Sequence, residues 1–377
     1  MLYNPDDICK DPLQIDFNNL DDLHSDDNEL WRLAPVESCE EIDKTVLSEI
    51  ISKNNKDCLY IIGNGFDLHH KLKTSYLDFR EFLKKDKKYS DLLYLFARNF
   101  DLPLDDGDKE WNCFEEVIKY SNSIPYINGY PLNSLTVEES CDLLASEIGR
   151  INNSLDLAFY AWVQSIENEM RRQTSLENME KKLIGKNSIY LSYNYTDVLE
   201  RFYKISPNNI LHLHGLFSES KKESLFLGFG DLNFKVLDSY YKNINYDVIG
   251  TDKRAECAVD GKSDDLKRIT EESKDNLLSF FKNRNKNYYI QNYRCYEFNT
   301  RILNNLKNIR KVIVLGHSFG ASDAYSLKLL RDRLSDNDVK WYIGVWADSK
   351  STYKSNYTRM VMYKMFLAKE NTRYFLW

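Results

Sequence analysis

Cys58-Leu-Tyr-Ile-Ile-Gly-Asn-Gly-Phe-Asp-Leu-His-His70 opens with five β-favouring apolar residues and then breaks at Gly63. A short apolar run closed by glycine predicts a buried strand that feeds a loop. Four more runs read the same way: Ser188–Ser192, Asn209–Leu213, Lys311–Leu315 and Val339–Trp346. Several lead directly into segments with helical spacing. Continuous apolar strands alternating with helices predict a doubly wound, mainly parallel α/β sheet of Rossmann-like type, covered on both faces. In such sheets ligands bind beyond the carboxyl ends of the strands.

Around that sheet the apolar spacing predicts helices. Tyr76, Phe79, Phe82 and Leu83, then Leu92, Leu93, Leu95 and Phe96, follow Ser75, a predicted N-cap. Residues 111–120 and 136–175 continue the pattern. The organisation expected is an acidic N-terminal extension over 1–56 and one α/β domain over 57–377. That domain carries helical insertions at about 75–180 and 232–308. The second insertion holds a charged stretch, Lys253 to Lys274, and an apolar one, Leu277 to Phe281. Leu30-Trp31 and the run from Ile42 to Ile51 predict short helices packed on the main body.

The chain has 377 residues, 42% of them hydrophobic, enough to bury a large core. No run of 18 apolar residues occurs, and the first residues lack the pattern of a signal peptide, so a soluble, cytoplasmic protein off the membrane is expected. Net charge is −7, yet residues 1–56 hold 14 acidic and 5 basic side chains, so the remainder is slightly basic. That balance gives little support to nucleic-acid binding, which leaves a basic stripe. Seven cysteines at scattered positions form no Cys-x-x-Cys pair, so neither a disulfide framework nor a zinc ribbon is expected.

Five of the six histidines fall in three glycine-bearing motifs: Gly63 to His70, His212-Leu-His214-Gly215 and Gly316-His-Ser318-Phe-Gly320. Each lies where a predicted strand ends, so all three can converge on one crevice. Gly63-Asn64-Gly65 suits a tight turn whose N–H groups face a phosphate or ribose, with Phe66 and Asp67 extending the loop. Leu68 breaks the full G-x-G-x-x-G fingerprint. Asn194 offers donor and acceptor at a strand end, followed by Thr196 and Asp197; Asn and Asp are also ordinary helix caps. His212 and His214, alternating on a strand, face the same way, and His214 at the open end is the candidate general base. No metal is predicted, because no carboxylate or thiol has ligand spacing with them. Gly316-His317-Ser318-Phe-Gly320 matches the G-x-S-x-G elbow of α/β-hydrolases, but no histidine follows it, so a triad in that family's order is impossible.

Through these residues the chain resembles the AbiH family of bacterial abortive-infection, anti-phage proteins. The likeness rests on Ile61 to Leu68, Thr74-Ser-Tyr76 with Phe79, Trp111-x-x-Phe-Glu115, Ser192 to Thr196, His212-x-His-Gly215 and Gly316-His-Ser318. The order Gly-x-Gly, Asn, His-Gly, Gly-x-Ser is also similar to the NAD-binding core of sirtuin-like proteins. That resemblance implies that Gly63 and Gly65 line a dinucleotide, Asn194 holds the nicotinamide ribose or a water, His214 is the general base and Ser318 contacts phosphate or ribose. It implies NAD as the substrate of a hydrolase. Thr196 stands where that pattern has aspartate, with Asp197 one place later, which argues against protein deacylation. The alternative is a nucleotide-sensing module of a defence system acting through a partner or a homo-oligomer.

Overall fold

The computed structural model describes residues 39–53, 55–100, 102–105, 108–112, 114–120, 137–218, 225–228, 283–334, 338–346 and 351–377. Seven strands form one sheet: β1 (Glu40–Glu41), β2 (Cys58–Ile62), β3 (Ile189–Ser192), β4 (Ile210–His212), β5 (Lys311–Leu315), β6 (Lys340–Val345) and β7 (Thr372–Leu376). Their order is β1-β7-β6-β5-β2-β3-β4, and every pair is parallel. The predicted doubly wound α/β sheet is therefore present.

The apolar runs explain its centre. In β2 every residue is buried, with Cys58, Tyr60 and Ile62 in the core on one face and Leu59 and Ile61 in the core on the other. β5 divides in the same way, Ile313 and Leu315 against Val312 and Val314. A strand buried on both faces has no polar alternation to show, which is why these two were read to the residue. β1, two exposed residues long, and the more polar β7 were not anticipated.

On the first face lie α1 (Lys44–Lys53), α3 (Tyr76–Lys85), α4 (Asp91–Phe100) and α7 (Val137–Met170), which follow or flank the short α2 (Asn64–His69), α5 (Asp108–Asn112) and α6 (Phe114–Tyr120). Ser75 caps α3 in a capping box: its hydroxyl accepts from Asp78 N, and the Asp78 carboxylate accepts from Ser75 N at 3.0 Å. On the second face lie an irregular helical run over 286–308, α9 (Ala324–Leu334) and α10 (Ser351–Lys364), whereas α8 (Val198–Arg201), which follows β3, buries Val198 and Leu199 on the first. Leu47 and Ile51 of α1 are buried in the core, so the end of the acidic leader packs on the body as expected. Leu30-Trp31 and the stretch from Lys253 to Phe281 lie outside the described residues.

From β2 the chain moves outward through β3 and β4, then returns to the other side of β2 with β5. The switch point is the gap between the carboxyl ends of β2 and β5, the place where open α/β sheets hold ligands.

Candidate active site

A cavity of about 540 Å³ opens at that switch point. Gly63, Asn64, Gly65 and Asp67 line it from the end of β2, Asn194 and Thr196 from β3, His214 from beyond β4, Gly316, His317 and Ser318 from β5, and Gly344 to Trp346 from β6. Glu115, Phe159, Trp162 and Lys286 close it from the helical side. Its size lies within the roughly 300–1,000 Å³ of small-molecule sites.

The glycines act differently from the phosphate cradle expected of them. Gly63 N donates to Leu315 O at 3.0 Å and Gly65 N to Gly316 O at 2.8 Å, so both N–H groups are already spent between loops. A Cβ on Gly316, whose φ is +66°, would stand 2.1 Å from Phe66 N, and one on Gly63 would stand 2.5 Å from the Cα of His317. Only glycine permits the β2 and β5 loops to touch through their backbones. They build the floor of the cavity, and Asn64 is tied down as well, its Nδ2 donating to Thr74 O at 2.8 Å.

One wall is a buried charge cluster centred on Asp323. Its Oδ1 lies 3.2 Å from Lys286 Nζ and 3.2 Å from His214 Nε2, and its Oδ2 lies 3.5 Å from His317 Nε2. Lys286 Nζ also donates to Glu115 Oε2 at 2.8 Å, and Tyr76 OH donates to the other oxygen of Glu115. Burial alone would depress the Lys286 ammonium, but Asp323 and Glu115 outweigh it and hold the lysine charged. Burial opposes ionisation of Asp323 too; Lys286 and then His214 reverse that and keep it well below the usual carboxylate range. His214 is held below its ordinary value first by burial and next by Lys286, against the pull of Asp323, so its ring is neutral at pH 7. Phe319 N donates to His317 Nδ1 at 3.0 Å, which assigns the ring proton of His317 to Nε2, facing Asp323.

The opposite wall carries Asp67, Thr196 and Asn194. Thr196 Oγ1 donates to Asp67 Oδ2 at 2.7 Å, and the buried Asn194 amide stands beside the same carboxyl and also favours its charged form. Burial pushes the Asp67 carboxyl up to about 7 despite the Thr196 hydrogen bond.

Other candidates lie elsewhere. Phe66 belongs to the core, stacked against Trp377 with centroids 5.9 Å apart. Asp197 stands at the N-cap of α8 without capping it and pairs instead with Arg201, at 2.7 Å to Nε. Neither lines the cavity. His69 stacks on Trp377 at 4.3 Å, and His70 is fixed at both nitrogens, Nδ1 to Glu177 O at 2.8 Å and Nε2 to Tyr203 OH at 3.0 Å. β4 ends at His212, so the two histidines do not share a strand face: His212 contacts Asn194 O at 3.1 Å and Glu200 at 2.8 Å, whereas His214 turns to Asp323. Ser318 is exposed, and α9 begins only at Ala324, so the segment lacks the sharp strand-to-helix turn of a nucleophile elbow. Among the described residues no three His, Cys, Asp or Glu side chains are arranged to hold a metal ion.

Sequence reasoning missed Lys286, Asp323 and the role of Glu115. Glu115 ends the Trp111-x-x-Phe-Glu115 segment and Asp323 follows the third glycine motif by three residues, so both were within reach; nothing marks Lys286. Residues 59–344 match the family model described as bacteriophage abortive infection AbiH. The chain belongs to the AbiH family. Membership carries a role in abortive infection of phage, and the matched span runs from β2 into β6, enclosing the ends of β2, β3, β4 and β5 that line the cavity of this AbiH-family protein. No curated protein and no solved structure matches the chain. Among its described residues no helix is long and apolar enough to cross a membrane.

Proposed function

We propose that this AbiH-family protein hydrolyses the nicotinamide–ribose bond of NAD, with NAD as substrate rather than lasting cofactor. The observation that carries the reading is the pairing, in one cavity at the sheet's switch point, of a neutral buried His214 and the Asn194 amide. Asp323, ionised by Lys286, faces His214 Nε2 and favours the proton there, which leaves Nδ1 as the base.

In the proposed reaction Asn194 orients water or the ribose hydroxyls. The bond from ribose C1′ to the pyridinium nitrogen breaks, its electron pair neutralising the ring as nicotinamide leaves. Water bonds to C1′ and gives its proton to His214, which releases it to solvent. Lys286, itself held by Glu115, keeps the Asp323 charge in place while the imidazole cycles. Gly63, Gly65, Gly316 and His317 shape the floor against which the dinucleotide lies, and Ser318 is left to contact phosphate or ribose at its rim.

Purified protein, alone and from phage-infected cells, is incubated with NAD while nicotinamide is measured by chromatography. The proposal expects nicotinamide and ADP-ribose in equal amounts, lost in Asn194→Ala and His214→Ala variants that retain the wild-type melting temperature. A melting temperature raised by NAD with no nicotinamide formed from either sample overturns hydrolysis and supports the alternative, sensing coupled to a partner or a homo-oligomer.

A further inference from the structure

We propose that the corner between β6 and α10 binds the half of the dinucleotide that does not react, with Trp346 stacking a planar base and Lys364 reading a phosphate. The inference rests on reading the cavity as a nucleotide site, and it is independent of whether the bound nucleotide is cleaved. Both residues lie beyond the span 59–344 that matches the family model, so membership assigns them no role.

The sheet order puts β4 and β6 four strand spacings apart, about 19 Å at about 4.8 Å for each. His214 lies past one and Trp346 past the other, and both line the same cavity. The cavity therefore runs across the strand ends, with room for two ligand halves. α10 packs against β6 and turns Tyr357, Met360 and Lys364, spaced three and four residues apart on one helix face, to the cavity. Its Val361 is buried in the core of the second face. The three cavity-lining side chains are half-buried, as is Trp346, so this end is accessible where the walls around Asp67 and His214 are buried.

These side chains define the ligand. The Trp346 ring is braced at 83° to His69, with centroids 6.1 Å apart, and His69 stacks in turn on Trp377 at 4.3 Å. A braced, half-buried indole is a stacking platform for a planar base, and Met360 adds a soft, adaptable thioether to the same end. Lys364 supplies the charge. Its ammonium donates to Phe319 O at 3.1 Å, which leaves two N–H groups for a ligand, and among the described residues it meets no carboxylate. Lys286, the other lysine that lines the cavity, is matched by Glu115 and Asp323, and Asp67 on the opposite wall accepts from Thr196. Tyr357 OH donates to His317 O at 2.6 Å, so α10 is tied twice to the loop after β5 and Lys364 is fixed at that end of the cavity. An aromatic platform with an uncompensated ammonium matches a nucleoside phosphate, whereas a base or a phosphate alone would use only one of them.

The test is calorimetric titration of the full chain with ADP, adenosine and nicotinamide, at low and at high salt. None of these probes contains the scissile bond, so failure of the hydrolysis reading leaves the test intact. Wild type is expected to bind ADP roughly tenfold to a hundredfold more tightly than adenosine, the usual worth of a hydrogen bond between charged groups, and that advantage should shrink as salt rises. Lys364→Gln keeps a donor for Phe319 O but loses the charge; it should bring ADP down to the affinity of adenosine and leave adenosine unchanged. Trp346→Ala should weaken both by the same factor, roughly tenfold, through loss of stacking. Equal binding of ADP and adenosine by wild type overturns the proposal without any variant, and so does ADP binding that neither substitution alters. Nicotinamide binding that depends on Trp346 also overturns it, because the corner then holds the reacting half. If ADP does not bind while NAD still raises the melting temperature, this proposal alone falls; if NAD has no effect either, the nucleotide reading falls with it.

Discussion

His70 and His214 are both buried, both follow a strand of the same sheet, and both are neutral at pH 7, yet only one belongs to a cavity. His70 has its two nitrogens consumed by Glu177 O and Tyr203 OH and its ring packed on Phe66 at 4.8 Å; burial takes its pKa down to about 4. His214 meets a carboxylate that a buried lysine keeps charged. Burial and lowered basicity are common to both, so neither distinguishes chemistry from packing. What differs is the partner: two ordinary neutral groups for His70, an ionised Asp323 for His214.

Removing the feature that sets His214 apart should have the largest effect. Lys286→Met strips the cation from between Asp323 and Glu115 and leaves two buried carboxylates together. Chemical denaturation should show a loss of about 3–5 kcal/mol, the cost of breaking a buried ion pair. Unchanged stability would mean that the charge cluster does not exist as described.

Next comes acidity, which separates the cavity's Asp67 from the packed His70 by sign. Asp67 has a folded pKa near 7, above its ordinary 3.8, so the fold favours its neutral form and stability falls as pH rises from 4 to 7. His70 is lowered from 6.5 to about 4, so its contribution is lost in the opposite direction, as pH falls across that window. Asp67→Asn should leave stability higher at pH 8 than in wild type, by at most about 4 kcal/mol, and unaltered at pH 4. Melting curves across the range check this, and a variant equally stable at both ends relative to wild type contradicts it.

His70→Phe should cost about 1–3 kcal/mol in the same denaturation assay, through unmet partners in Tyr203 and Glu177, while ligand binding is preserved. Ser318→Ala comes last. The side chain is exposed, and its replacement should change stability by less than about 0.5 kcal/mol. Loss of all NAD turnover in Ser318→Ala would restore the nucleophile-elbow reading.

The parts of the molecule legible in the sequence are those in which neighbours along the chain are neighbours in space. β2 and β5 were readable because both faces are buried, and Ser75 because a cap acts three residues away on Asp78. Three glycine motifs at strand ends pointed to the crevice, and the Gly63 and Gly65 N–H groups donate from one loop to the other. The charge cluster was hidden because Lys286 reaches Glu115 across 171 residues and Asp323 across 37, and a single lysine carries no periodicity. β1 was invisible for a different reason: two exposed glutamates are held as a strand only by pairing with β7.

The measurement that bears most directly on the account is the yield of nicotinamide from NAD with wild type, His70→Phe and His214→Ala, each shown to be folded by its melting transition. The account predicts equal turnover by wild type and His70→Phe and none by His214→Ala. Turnover by His214→Ala at the wild-type rate, or its absence from wild-type protein taken from phage-infected cells, would contradict it.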